Sequence, residues 1–513
     1  MTTDSGHEAG EASRRGSRLS LAHKLAINSL SQGLRQVVQA VGGLASVAIV
    51  SRHLAIDEYG AVLAAMAFVS VFSLAGDFGI TVTTARLMAR EPERRDELAT
   101  ASLYAWIAFA ALAAGAIAGL AQVVYPGAER ALIRHAAMVL VIPMALTPLG
   151  GMAGAIAIVE QRAWLLAVGA VLSRVASLGA IVLAASLGYG PIGIAAAFAS
   201  GIAFDALFPF LLIRPRMPVR GSPRRIAATI RRLVGIAAPL GAIVVLNGLY
   251  FRLDALLLSL LGSTRDVALY GVAYKGYDML LVLPGFVMVT LLPVLARLAP
   301  GDERFREIVQ KAFAGMCLLV APVAALALLG REIMVALGGS QYAGGGLVLA
   351  LVLLGVLIAC LNGTLVQVMV AQGRQRVVLR VTALTLCVNA IANVVAIPLW
   401  GVRGSASALL LSEAVSLAGT LLVYRTLAPL PRVPAPARLV AAVGCMAAAM
   451  SVRYVVSGGD GVRLLVGVAA GSVAYVAALV ALRAVPPYVG DLVRGIAAAA
   501  RGRVRSPRGR PLR

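Results

Sequence analysis

Long apolar stretches separated by short polar loops run through almost the whole chain. Fourteen of them, at 28–50, 59–82, 98–122, 132–158, 163–187, 189–213, 233–262, 269–296, 312–330, 345–371, 377–399, 404–424, 439–456 and 464–482, are long enough to cross a bilayer. A hydrocarbon core about 30 Å thick takes roughly 20 helical residues. Water is absent there, so backbone groups must pair within the segment, and a helix does that. The pattern predicts an all-α polytopic membrane protein with about 14 transmembrane helices.

Charge then orients the helices. Most of the 46 Lys and Arg residues fall on the two tails and on the even-numbered loops. The 214–232 loop carries Arg214, Arg216, Arg220, Arg224, Arg225, Arg231 and Arg232, whereas the turn at 187–190 carries no charge. Basic residues in short loops are retained on the cytoplasmic side. Both termini are therefore expected in the cytoplasm and the protein in the cell membrane.

The net charge of +23 follows from this topology and is not read as nucleic-acid binding. Arg14, Arg15, Arg18 and the run from Arg501 to Arg513 fit attraction to anionic membrane lipids, worth about 1 kcal/mol per cation near the surface. Residues 1–27 read as a basic disordered tail and not a cleaved signal, because the apolar region begins too late. Cys317, Cys360, Cys387 and Cys445 all lie in apolar spans without a CxxC spacing, which fits packing better than a disulfide framework or a zinc site.

The chain repeats itself. Tyr59-Gly60 recurs 211 residues on as Tyr270-Gly271, and Ala85-Arg86 as Ala296-Arg297. The same step carries Gln161 onto Gln372, and Gly190, Gly193, Ala195 and Ala197 onto Gly401, Gly404, Ala406 and Ala408. Spans 1–6 thus map onto spans 7–12. Six helices return the chain to its starting side, so the two lobes are parallel and related by an axis along the membrane normal. Duplicated lobes with a site at their interface are the architecture of alternating-access transporters. The expected units are an N-lobe at 28–213, a basic linker at 214–232 and a C-lobe at 233–424. A Pro-rich linker at 425–438, two added helices at 439–482 and a basic tail at 483–513 follow. Pro429, Pro431, Pro434 and Pro436 make the second linker semi-rigid.

Ionisable residues at membrane depth are costly and mark cavities or partners. The cations are Arg35, Arg174, Arg252 and Lys275, and the acids are Asp77, Asp205, Asp254, Asp278 and Glu413. Lys275 and Asp278 are three apart on one helix and are expected to pair. Arg252 and Asp254 are two apart and diverge, so each needs a partner elsewhere. These four form the expected site cluster, and an interhelical salt-bridge set is the structural alternative. Pro143, Pro148, Pro239, Pro284 and Pro293 interrupt spans and can kink them. The glycines at 338–346 read as a flexible outer loop. His7, His23, His53 and His135 form no triad, and no Walker A sequence appears, so neither an enzyme nor an ATPase is expected, and no cofactor.

Three blocks carry a family resemblance. The first joins Arg52-His53-Leu54, Asp57-Glu58-Tyr59-Gly60, Gly76-Asp77-Phe78-Gly79 and Arg86. The second joins Arg252-Leu253-Asp254, Tyr270-Gly271, Lys275 and the 291–297 stretch LLPVLAR. The third joins Ala371-Gln372-Gly373-Arg374, Asn389, Asn393, Ile397-Pro398 and Gly401 to Gly404. Together, over about residues 25–425, they resemble polysaccharide-export flippases of the multidrug/oligosaccharidyl-lipid/polysaccharide (MOP) transporter superfamily. The resemblance implies export of a polyprenyl-pyrophosphate-linked glycan, alongside polysaccharide polymerase or assembly proteins. Arg35, Arg252, Lys275 and Arg174 would bind it. Asp77, Asp254, Asp278, Asp205 and Glu413 are the candidates for a coupling proton or sodium ion. A lipid II flippase and a multidrug cation antiporter of the same superfamily are the alternatives. A membrane glycosyltransferase or ligase is disfavoured by the short outward loops, and a non-transporting assembly scaffold is the remaining rival.

Overall fold

The computed structural model describes residues 35–213, 222–457 and 459–485. Both tails, Arg214, Arg216 and Arg220 of the basic linker, and the start of the first span lie outside the described residues. Among the described residues every regular element is helical. Helix α1 covers residues 35–53. It is followed by α2 (Ile56–Asp77), α3 (Ile80–Arg90), α4 (Arg95–Val124), α5 (Ala131–Val141), α6 (Thr147–Val159), α7 (Ala163–Ser186) and α8 (Gly190–Ile213). The second half runs through α9 (Pro223–Tyr250), α10 (Leu253–Leu261), α11 (Thr264–Leu280), α12 (Leu283–Leu295), α13 (Glu303–Val320), α14 (Pro322–Leu326), α15 (Gly330–Gly338), α16 (Gly346–Ala371), α17 (Gln375–Trp400) and α18 (Val402–Tyr424). Helices α19 (Pro436–Ala449) and α20 (Asp460–Ala481) close the chain.

Twelve segments among the described residues are long and apolar enough to cross a membrane. Two expected spans are not among them. The 28–50 span begins outside the described residues. The 269–296 span is split at Leu281–Val282 into α11 and α12, and Lys275 and Asp278 lower its apolarity.

Lipid tails are as apolar as leucine, so close packing and hydrogen bonds, more than apolar burial, hold such a bundle together. Small residues permit that closeness. Gly404 lies so near the Ala396 carbonyl on α17 that a Cβ there would overlap it, and Gly201 on α8 sits against Ser177 of α7. Positions 211 residues apart occupy matching places. Tyr59 and Tyr270 are both 1% exposed, and Gly190 and Gly401 both take positive φ just ahead of the α8 and α18 turns. Gly60 on α2 packs on the Thr264 backbone, and Gly271 on α11 packs on Leu63 of α2.

Prolines break the helices less uniformly than their positions suggest. Pro143 sits in a 3-10 stretch, Ile142–Leu146, and Pro148 and Pro284 open α6 and α12. Pro239 and Pro293 lie inside continuous helices. The break between α9 and α10, at Phe251–Arg252, contains no proline. The 338–346 glycine stretch is also not a flexible loop. Ser340–Gly345 is a 3-10 helix with Tyr342 fully buried, and Gln341 reaches across to the Ser51 carbonyl at 2.7 Å.

The last two helices dock on the α13–α15 segment. Tyr475 Oη donates to the Leu318 carbonyl at 2.8 Å, and Arg453 pairs with Glu332 at 3.2 Å. Gln310 and the Arg432 backbone exchange two hydrogen bonds at 2.7 Å, pinning the Pro-rich linker.

Candidate functional site

A cavity of about 690 Å³ lies between α1, α2, α7 and α8 of the first half and the α10–α11 corner of the second. All four expected cations line it: Arg35 from α1, Arg174 from α7, Arg252 from the α9–α10 break and Lys275 from α11. Asp205 and Asp278 are the two acids on its wall.

The cations differ in what holds them. Arg174 Nε donates to Gln39 Oε1 at 2.8 Å, while Gln39 Nε2 donates to the Ala170 carbonyl at 3.2 Å. Gly42 makes room for the arginine stem, since a Cβ there would overlap Cγ and Cδ. Lys275 Nζ meets Asp278 at 3.1 Å, one turn along α11. Among the described residues, Arg35 and Arg252 make no ion pair within 4 Å and no side-chain hydrogen bond. Asp205 sits in the field of Arg35 and Arg174 without touching either. Two guanidinium groups are thus free to take a ligand.

The other three acids lie elsewhere. Asp77 caps α3, accepting from the Thr81 amide at 3.1 Å and the Trp106 indole at 3.2 Å. Asp254 does not join Arg252 in the cavity. It is 3% exposed and accepts from Tyr270 Oη at 2.8 Å and Asn393 Nδ2 at 2.7 Å. Glu413 on α18, 2% exposed, accepts from Tyr250 Oη at 2.7 Å and Tyr277 Oη at 2.5 Å. The expected four-residue cluster therefore divides: Arg252, Lys275 and Asp278 face the cavity, and Asp254 faces the core behind it. A row of tyrosines separates the two. Tyr270, Tyr274 and Tyr277 stack at 5.6 and 4.9 Å between centroids, and Tyr270 and Tyr274 also line the cavity.

The two ends of the cavity are closed differently. At the arginine-poor end, hydrogen bonds join the two halves directly. Arg52 Nη2 donates to the Ala336 carbonyl at 2.6 Å, Ser51 Oγ to the Leu337 carbonyl at 3.1 Å and Thr264 Oγ1 to Asp57 at 2.9 Å. Tyr125 Oη and Ser259 Oγ lie 2.7 Å apart. At the arginine-rich end the links run through α9, where Arg232 meets Glu91 at 2.5 Å and Arg94 bridges Glu91 and Glu97 at 3.2 and 2.9 Å. The hydrogen bond from Arg232, joined by the positive charges of Arg232 and Arg94, holds the Glu91 carboxyl below the ordinary carboxylate range. A second pocket of about 410 Å³ shares Gln36, Asp278 and Val282 with the cavity and lies between α1, α12 and α16.

Comparison with known proteins fits this geometry. The polysaccharide biosynthesis protein family matches residues 49–345. The chain belongs to that family, within the MOP transporter superfamily. It is 29% identical over 183 residues to "Probable flippase AglR" of Haloferax volcanii, a match spanning 35% of this chain and 38% of that relative. Its fold is that of the solved "Lipid II flippase MurJ, inward closed conformation", with TM-score 0.71, 13% identity, and coverage of 89% of this chain and 99% of that one. An inward-facing multidrug resistance MATE family transporter of the MOP superfamily follows, with TM-score 0.59, 19% identity, and coverage of 76% and 94%. These structures share the two-lobed arrangement.

Sequence reasoning found the cavity cations but missed Gln39, the tyrosine row and the asparagine partners of Asp254. The signal was present, because Tyr270, Tyr274 and Tyr277 follow the i, i+4, i+7 spacing of one helix face.

Proposed function

We propose that this protein is a flippase that carries a polyprenyl-pyrophosphate-linked oligosaccharide from the cytoplasmic to the outer leaflet by alternating access. The observation that carries the reading is the pair of guanidinium groups, Arg35 and Arg252, unengaged among the described residues, in a cavity that adjoins a second pocket between α1, α12 and α16. Four cations against Asp205 and Asp278 leave two positive charges, which match the two ionised oxygens of a pyrophosphate diester. Arginine also suits phosphate by presenting paired donors.

The arginine-rich face is the cytoplasmic one in this reading, with both termini there. The glycan head and pyrophosphate enter by way of the α1–α12 pocket while the prenyl chain stays in lipid, along the outer surface of α19 and α20. Rocking of the lobes then breaks the seal at Arg52, Thr264 and Tyr125 and exposes the head outside. Asp254 and Glu413, buried without a cation, are the groups best placed to take a coupling proton or sodium ion. Asp77 is occupied in capping α3, and Asp278 is held by Lys275. Lipid II is the second substrate reading, favoured by the fold shared with MurJ over 89% of the chain. A cationic drug fits a net positive cavity poorly.

The test is mass spectrometry of polyprenyl-linked lipids in cells depleted of the protein, with and without rescue. Accumulation of an oligosaccharide-linked pyrophosphate, reversed by rescue, is expected. Accumulation of lipid II would move the second reading to first place. An unchanged profile under verified depletion would remove both.

A further inference from the structure

The two carboxylates behind the tyrosine row are bonded in opposite ways. Asp254 uses both oxygens, Oδ2 toward Tyr270 and Oδ1 toward Asn393. That pattern suits an ionised carboxylate, whose two oxygens are both acceptors. At Glu413 both phenols converge on Oε1, and among the described residues no donor reaches Oε2. A neutral carboxyl group has this arrangement, with one carbonyl oxygen accepting and one oxygen carrying the proton.

The groups facing Glu413 come from every helix packed around it. They are Tyr250 from α9, Asp254 from α10, Tyr274 and Tyr277 from α11 and Cys360 from α16. From α17 the uncharged Asn389 bonds Ser412, the neighbour of Glu413, at 3.1 Å. None of these is a cation, so ionised Glu413 would face Asp254 with no counter-charge. Two like charges sharing a dry site cannot both ionise without a large penalty.

The same bonds reach the break between α9 and α10. Tyr250 is the last residue of α9, and Arg252 leaves the chain at the break just after it. Tyr274 donates to the freed Phe251 carbonyl at 3.2 Å and stacks on Tyr277. Both phenols that bind Glu413 thus belong to the support of the Phe251–Arg252 break.

We propose that Glu413 exchanges a proton and that its protonation state, acting through Tyr250 and Tyr277, sets the angle of the α9–α10 break and so the position of Arg252 in the cavity. The inference rests on the transporter reading but not on the choice of substrate. A proton arrives at Oε2 from cavity water past Tyr274 and leaves by the same path; no other bond is made or broken. Binding would be linked to pyrophosphate release because both act on the one joint that carries Arg252.

Purified protein reconstituted in lipid without substrate provides the test. Infrared difference spectra taken across pH should show a protonated-carboxyl band that is lost on raising pH, absent in Glu413→Gln and retained in Asp254→Asn. A band that survives in Glu413→Gln overturns the proposal. If that variant does not fold, Tyr277→Phe removes one donor to Oε1 and should shift both the band and its titration midpoint; no shift overturns it equally. Spin labels at Ala255 and Gln36, either side of the cavity, read the joint. Their distance should change with pH in the parent and stay fixed in Glu413→Gln or Tyr250→Phe. Since no glycan lipid is present, failure here leaves the flippase reading standing, and failure of the lipid profile leaves this one standing.

Discussion

Arg52 at the end of α1 donates to the carbonyl of Ala336 on α15 across 2.6 Å, tying the first half of the chain to the second at the arginine-poor face. The bond matters because its neighbours do the same: Ser51 reaches Leu337 and Gln341 reaches Ser51. A net hydrogen bond is worth about 1 kcal/mol, or roughly a fivefold change in a two-state ratio. Arg52→Ala should therefore raise the share of molecules open at this face by about fivefold. The rate at which an impermeant reagent labels a cysteine placed at Met66, in a background lacking the native cysteines, measures it. An unaltered rate would show that Arg52 holds nothing shut.

The latch at the opposite face is ionic and so should answer to pH. Glu91 is held below the usual carboxylate range by Arg232 and Arg94. A depressed folded-state value means the contribution is fully present above the unfolded carboxylate pKa and is lost as pH falls through the folded one. Docking of α9 on the loop after α3 should stay constant from neutral down into the ordinary carboxylate range and loosen below it. High salt should weaken it too, because the pair is open to solvent on the Arg232 side. Spin labels at Pro92 and Arg224 would report the separation, and Glu91→Gln should show the loosened distance at every pH.

The lobes and the pairing of Lys275 with Asp278 were legible in the chain because each follows a fixed spacing, and the four cations because a charge stands out inside an apolar span. A helix face repeats every three to four residues, and the duplicated lobes repeat every 211. What could not be read was depth. Arg252 and Asp254 diverge as their spacing requires, but which of them meets water depends on the α9–α10 break, which contains no proline to announce it. The glycines at 338–346 show the converse. Their composition suggests a mobile loop, yet burial of Tyr342 and the reach of Gln341 to Ser51 fix them in place.

Gly60 tests the crossing of α2 and α11. Its Cα lies so close to the Thr264 carbonyl that any Cβ would overlap it. Backbone cannot yield as a flexible side chain can, and overpacking of this kind costs about 1–3 kcal/mol. Gly60→Ala should lower thermal stability and push α2 from α11 at the sealed face. Gly76→Ala, where a Cβ meets nothing within 4 Å, is the control. Equal melting temperatures for the two variants would contradict the close crossing.

Asp254→Asn keeps the shape of the side chain but turns one acceptor into a donor. Tyr270 and Asn393 both donate to this group, so the new amide must point its N–H2 at one of them. A buried polar group left unpaired in this way costs about 1–3 kcal/mol. Lower stability is expected together with transport that no longer responds to an imposed ion gradient in proteoliposomes. Retention of the gradient response would take Asp254 out of coupling and leave it a structural acceptor.

Arg252 separates charge from shape. Among the described residues its guanidinium meets no hydrogen-bond or ion-pair partner, so removing it should leave folding nearly intact and act on the ligand alone. Hydrogen bonds to charged groups contribute about 1.5–3 kcal/mol, which predicts at least a roughly tenfold loss of transport for Arg252→Ala at normal protein levels. Arg252→Lys keeps the charge but loses the paired donors of the fork, and should fall between the two. Arg35→Ala should behave like Arg252→Ala, whereas Arg174→Ala should also lower stability by freeing Gln39 from the 2.8 Å bond that spans α1 and α7. Full transport by Arg252→Ala would remove the residue from the mechanism, and with it the reason the chain breaks its seventh span at that position.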